Sequence, residues 1–438
     1  MTTAPIMPAR ILARGFSPNG PDVIDYLLFL PSIWLVCGLG VSLRLIGPLF
    51  VVIPIGVCLL YAVLRRTMPP RLLSAYLGLC IFFAVLSKYR LLPSSWQSYF
   101  MDEAIVRQMI PVLGFFAVAW ASKAYFRRRL LCGEPFFGAG LILALSLVVA
   151  PSVMFQQGRQ YQGDDPAQTV LALYGALINN TLVGTFFIMG AVFLAKDWRR
   201  YAGIATILTI AITTHFAQFR ILTLIALATL FGVSGRIMVI GMVAVFTSAY
   251  AIGIGYIPQV MVESPNSGIR LAFVADTLLS AVDTHGIGIG YGKESVRWRY
   301  DFPNMPDFTF LPDPTSITPD RMLEVLSTGV HNSFAQALLR TGVFGFLLFL
   351  AAFFAAFPPH NLPRDVRNHA AVVFGMIFIG CFVNPGLETP VALVGIGFIY
   401  GYLLALRGYA RTRAPVMRMD PVRPNTGTMR SLAGGASV

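Results

Sequence analysis

Apolar residues in this chain fall in long blocks rather than in short alternations. Stretches near 24–42, 46–64, 72–88, 106–125, 135–154, 178–195, 201–217, 220–235, 237–257, 338–357, 368–386 and 389–407 stand out. Each is long enough, as a helix, to cross most or all of the roughly 30 Å hydrocarbon layer of a bilayer. The pattern predicts an all-α polytopic membrane protein with about 12 transmembrane helices. It divides into an N-terminal bundle of about nine spans over 1–257, a large loop with short amphipathic helices over 258–337, about three further spans over 338–407, and a tail over 408–438.

Composition agrees with that division. The chain is 56% hydrophobic and only 12% charged, about half the charge of a soluble domain, and its mean hydropathy is +0.69. A net charge of +13 would suggest nucleic acid in a soluble protein, so its position along the chain decides its meaning. With the N-terminus inside, the cytoplasmic segments hold 21 of the 33 basic residues and net +15, leaving −2 for the remainder. The charge is therefore a topogenic signal, with no nucleic-acid partner implied and both termini in the cytoplasm. Arg10 and Arg14 precede a first apolar run that another follows at once, which predicts a retained signal anchor. The five cysteines, Cys37, Cys58, Cys80, Cys132 and Cys381, have no metal-binding or disulfide spacing and read as small apolar residues.

This topology puts the stretch from Pro258 to Val330 outside, with nine acidic residues against five basic ones. A loop of that length is uncommon unless it forms a lid or a binding surface, which makes it the expected working face. A shorter outer loop, Gln156 to Gln168, flanks it. The tail from Arg411 is rich in Arg, Pro, Gly and Ser and predicts a disordered basic segment near anionic headgroups.

Five features carry candidate chemistry. In VHNSFAQALLRTGVFGFLLFL, from Val330 to Leu350, Asn332 or Ser333 can cap a helix with Gln336 and Arg340 on its polar side. Gly342 and Gly345 then loosen that helix ahead of the apolar run from Phe346, which leaves His331 at its mouth. Arg220, in HFAQFRIL, lies where two apolar segments meet and must snorkel outward or face an internal cavity. Arg270 opens RLAFVADTLLSAV, an expected amphipathic outer helix. Two guanidinium forks without a carboxylate cage suit a pyrophosphate held by side chains alone. The strip from His285 to Lys293, HGIGIGYGK, lacks Walker spacing and predicts a tight backbone approach to the bundle or to substrate. The cluster RWRYDF, with Trp298, Tyr300 and Phe302, reads as the core of the loop's own small fold, with sugar stacking as the alternative.

Taken together, Arg220, Arg270, the strip GIGIGYG and HNSFAQALLRTGVFGFLLFL resemble the bacterial O-antigen ligase and Wzy-type polysaccharide polymerase superfamily over roughly Phe216 to Phe357. At the first arginine many members of that superfamily carry Ser-Arg-Gly, where this chain has Phe219-Arg220-Ile221. The resemblance implies a GT-C-like fold in the inner membrane and a periplasmic active site. It implies an undecaprenyl-pyrophosphate-linked oligosaccharide as donor, a glycan hydroxyl as acceptor, and transfer without metal or cofactor. His331 would be the catalytic residue and Arg220 and Arg270 the pyrophosphate-binding pair, with Asn332, Gly288 and Gly290 in support. Membrane lipid, a flippase and a chain-length regulator would be its partners. Within the superfamily the leading expectation is a polymerase of repeat units and the alternative a ligase; outside it, the competing class is a polytopic lipid or sugar transporter.

Overall fold

The structure, a computed structural model, describes residues 49–93, 100–131, 182, 184–195, 197–213, 217–257, 259–260, 265–293, 330, 332–383 and 392–413. Among them all regular secondary structure is helical: α1 (Leu49–Leu64), α2 (Arg71–Lys88), α3 (Asp102–Leu131), α4 (Gly184–Leu194), α5 (Trp198–Thr213), α6 (Ala217–Leu230), α7 (Gly235–Ile254), α8 (Pro265–Asp283), α9 (Ser333–Phe354), α10 (Arg364–Val383) and α11 (Ala392–Arg413). Six helices among the described residues, α2, α3, α7, α9, α10 and α11, are long and apolar enough to span a bilayer. Helices α1, α5 and α6 fall on expected spans but are shorter, at 16, 16 and 14 residues. The spans expected at 24–42 and 135–154, the loop 156–168, the cluster RWRYDF and most of the tail lie outside the described residues.

Helices α3, α10 and α11 form the centre. Gly397 and Gly401 of α11, spaced as in small-residue membrane interfaces, let its backbone approach α3: a Cβ at Gly401 would sit 2.5 Å from Ser122 Cβ and 2.6 Å from Ala119 O. Phe126, Phe186, Phe398 and Tyr402 pack edge-to-face around that seam, at centroid separations between 4.9 and 6.0 Å. The periphery is the reverse of a soluble surface, since Ile237, Ile240, Val245 and Ile252 of α7 are all more than half exposed. An apolar exterior of this kind is stable only against lipid.

Contacts near the helix termini sort the chain into two ends. At one end Lys123 Nζ donates to Met68 O (2.8 Å), Arg364 Nη2 donates to Gly232 O (3.2 Å), Arg236 stacks over Phe357, and Arg407 donates to Ala355 O. Basic side chains collect there, as the charge count requires of a single membrane face. At the other end Lys88 pairs with Asp102 at 2.6 Å, Tyr250 packs on Phe382 at 4.8 Å, and the glycine strip meets α2, α3 and α9. His369 is fully buried inside α10 with Nδ1 3.0 Å from the Tyr402 hydroxyl. The cause is packing: its face of α10 is turned toward the Phe186 and Phe193 rings. His360 is exposed.

Candidate functional site

Helix α9 is the element on which the site is built. Asn332 caps it, Oδ1 accepting from Phe334 N (2.9 Å) and Ala335 N (3.0 Å), which satisfies two of the donors a helix start leaves open. Gln336 reaches back one turn so that its Oε1 accepts from Val330 N at 3.1 Å. His331 itself lies outside the described residues, but its two chain neighbours are both buried and both held by α9.

Ten residues into the helix the ladder breaks. Gly342 takes φ 65°, ψ −169°, a conformation open only to glycine at low cost. In a continuous helix Val343 N would donate to Leu339 O; here it donates to Gly286 O at 2.8 Å. The orphaned carbonyls are taken up by the strip, with Ile289 N donating to Leu339 O (2.8 Å) and Gly290 N to Arg340 O (3.1 Å). At membrane depth unsatisfied backbone groups cost several kcal/mol each, and broken helices persist only where neighbouring protein repairs them. The strip makes that repair.

The alternate glycines exist for the same purpose. Gly286, Gly288, Gly290 and Gly292 all have positive φ, and a Cβ on Gly288 would lie 2.5 Å from Gly342 N. Every amide from Gly286 to Gly292 donates to the protein: beyond the two on α9, Gly286 and Ile287 donate to Ala281 O and Thr284 O, Gly288 to Thr284 Oγ1, Tyr291 to Ser87 Oγ and Gly292 to Gln108 Oε1. A phosphate loop needs those N–H groups for its ligand, so close backbone approach is the reading that fits. Gly288 and Gly290 pack closely against α9 and α2.

Arg340 was expected on a polar helix side and is instead almost completely buried. Its Nη1 donates to Gly290 O (3.0 Å) and Lys293 O (2.9 Å), fastening the end of the strip to α9. Gln108 Nε2 also donates to Lys293 O, at 3.2 Å. Lys293 is buried as well, its Nζ donating to Pro93 O at 3.1 Å; burial first, and the Arg340 charge second, push its pKa below the usual lysine value. A small cavity of about 40 Å³ lies beside Arg340, between α2, α3 and the first half of α9, with Gln336, Ser333, Gln108, Tyr76 and Tyr291 among its walls. Sequence reasoning passed over Arg340 and this cavity, because the burial of Arg340 follows from the Gly342 break and not from helix periodicity.

Arg270 sits in the second turn of α8, which begins earlier than expected, at Pro265, a residue favoured in the first turn. The next residue, Leu271, lies against Gly253 of α7, about one turn from Tyr250. Tyr250 packs on Phe382, and Phe382 on Phe334 (6.1 Å), two residues after Asn332. Leu271 and Phe273 of α8 share an apolar cluster with Val330, Ala335 and Leu339. Packing therefore brings Arg270 to the same end and the same neighbourhood as the start of α9. Arg220 is exposed, near the start of α6. The turn at 231–234 makes α6 antiparallel to α7, so Arg220 lies at the Tyr250 end, on a helix that packs mainly on α5, α7 and α10.

Compared with known protein families and with curated proteins, the chain matches none. The class that its own helices define is that of polytopic helical membrane proteins.

Proposed function

We propose that the protein is a bacterial inner-membrane glycosyltransferase of GT-C-like architecture, moving an undecaprenyl-pyrophosphate-linked oligosaccharide onto a glycan hydroxyl on the periplasmic side. Its leading role is polymerisation of repeat units. The observation that carries the reading is the broken helix α9: its start, capped by Asn332, lies at the end of the bundle where Arg270 also lies.

Lipid pyrophosphate is an activated leaving group, so the reaction needs no nucleotide. Arg270 and Arg220 neutralise the charge that develops as the glycosidic bond to pyrophosphate breaks. His331 takes the proton of the attacking hydroxyl, which a neutral imidazole does near neutral pH. A single displacement inverts the anomeric carbon.

His331→Ala, Arg270→Ala and Arg220→Ala, each inserted at wild-type level, abolish long-chain glycan in a complementation assay, whereas the exposed His360→Ala leaves it intact. Full chain length from all three site variants overturns the assignment. In the deletion strain, retention of single-repeat products marks a polymerase, and accumulation of lipid-linked polymer marks a ligase.

A further inference from the structure

At the end of the bundle opposite the strip, α1, α2 and α3 gather cations without acids. Arg65 and Arg66 follow α1, Arg71 opens α2, and Lys123, Arg127 and Arg128 lie toward the end of α3. From residue 49 to residue 101 the sequence has no Asp or Glu. The two acids of α3, Asp102 and Glu103, stand in its first turn, about 30 Å along the helix from Lys123. Two hydrogen bonds fold the turn between α1 and α2 onto α3: Trp120 Nε1 donates to Thr67 O (3.0 Å) and Lys123 Nζ to Met68 O (2.8 Å). Arg66 and Arg71 flank Met68 closely in the chain, and Arg127 stands one turn beyond Lys123 on the same face of α3. These four cations share one corner, and among the described residues none of them joins a salt bridge.

Two features of the corner suit an anion that carries apolar chains. At the start of α2 the cap position is Pro70, which makes no side-chain cap hydrogen bond, and the first turn holds no acid and begins with a cation. A helix start bears partial positive charge, so Arg71 is disfavoured there unless an anion sits with it. Like charges one turn apart on α3 add to that cost. Beside the charge lies apolar surface: Val63 and Leu64 at the end of α1, Met68 in the turn and Leu72 after Arg71 are all exposed. A free phosphate would use the cations alone, whereas a phospholipid uses both.

We infer that this corner binds an anionic phospholipid, its phosphate held by Arg66, Arg71, Lys123 and Arg127 and its acyl chains lying along the exposed apolar side chains beside them. Basic clefts between membrane helices recognise such headgroups. The site is at the other end of the bundle from Arg270 and does not depend on the transferase reading.

Native mass spectrometry of the full chain, released from detergent after incubation with equal amounts of phosphatidylglycerol and phosphatidylethanolamine, tests it. The wild type retains the anionic lipid about ten-fold or more over the zwitterionic one. Each cation near an anionic headgroup is worth roughly five-fold in affinity, so Arg71→Gln combined with Arg127→Gln weakens retention by about 25-fold. The pair Arg200→Gln and Arg367→Gln removes as much charge from α5 and α10 at the same end and changes retention by less than about two-fold, because distant exposed charges are screened. Glycerol 1-phosphate in excess leaves the lipid in place. Equal retention of the two lipids by the wild type overturns the site without recourse to any variant. Equal losses in the two double variants overturn it as well, and displacement by glycerol 1-phosphate replaces lipid docking with a simple anion site.

Discussion

Asn332 shows how much of the site is decided by single side chains. It occupies the cap with two hydrogen bonds to its oxygen, so Asn332→Ala costs about 1 kcal/mol of stability while Asn332→Asp retains most of it; thermal unfolding of the purified variants measures both. Gly288 poses a harsher constraint, because its φ is +89° and a Cβ would strike the Gly342 backbone. Gly288→Ala is destabilising by about 2 kcal/mol or more. Gly241→Ala, where nothing lies within 4 Å of the new Cβ, is neutral or stabilising by up to about 1 kcal/mol. Lys293 adds a pH term. Its folded pKa is depressed by burial and by Arg340, so in the interval up to its ordinary value of 10.5 the unfolded chain binds more protons than the folded one. Stability therefore rises with pH across that interval, and Lys293→Met flattens the slope in denaturation midpoints measured along it.

At the scale of elements, the broken helix and the strip stand or fall together. Gly342→Ala would place its Cβ on the carbonyls of Gly286 and Ile287, so it damages the strip without altering any strip residue. Hydrogen exchange at the amides of 286–292 rises sharply in that variant, and exchange of the α3–α11 seam does not. Much of this region was legible from sequence: the cap at Asn332, the loosening at Gly342 and the close approach implied by alternate glycines each follow from one residue type at one place. What the strip approaches was not legible, because its partners are carbonyls released by a break in a helix some fifty residues later in the chain. Arg340 was misplaced for the same reason. Periodicity assigns faces on the assumption of a continuous ladder, and the ladder here is interrupted two residues after Arg340.

For the molecule as a whole, hydropathy located the helices to within a few residues wherever they are described, and the basic residues do gather at one end. Which side of the membrane that end faces is the proposal that labelling decides. Met68, at the basic end, and Leu91, at the strip end, are both well exposed, at 79% and 68%. In intact spheroplasts a membrane-impermeant maleimide labels Leu91→Cys at once and Met68→Cys only after permeabilisation; the reverse order would invert the protein.

The central claim is that the end of the bundle holding the start of α9 and Arg270 performs glycan transfer from lipid pyrophosphate. Its most direct test is reconstitution of the purified chain in proteoliposomes with the lipid-linked repeat unit alone, with no nucleotide sugar, followed by the length of the lipid-linked glycan. The account predicts that single repeats become longer chains with wild-type protein and stay single with His331→Ala or Arg270→Ala of equal stability. Elongation that persists in those two variants would contradict it.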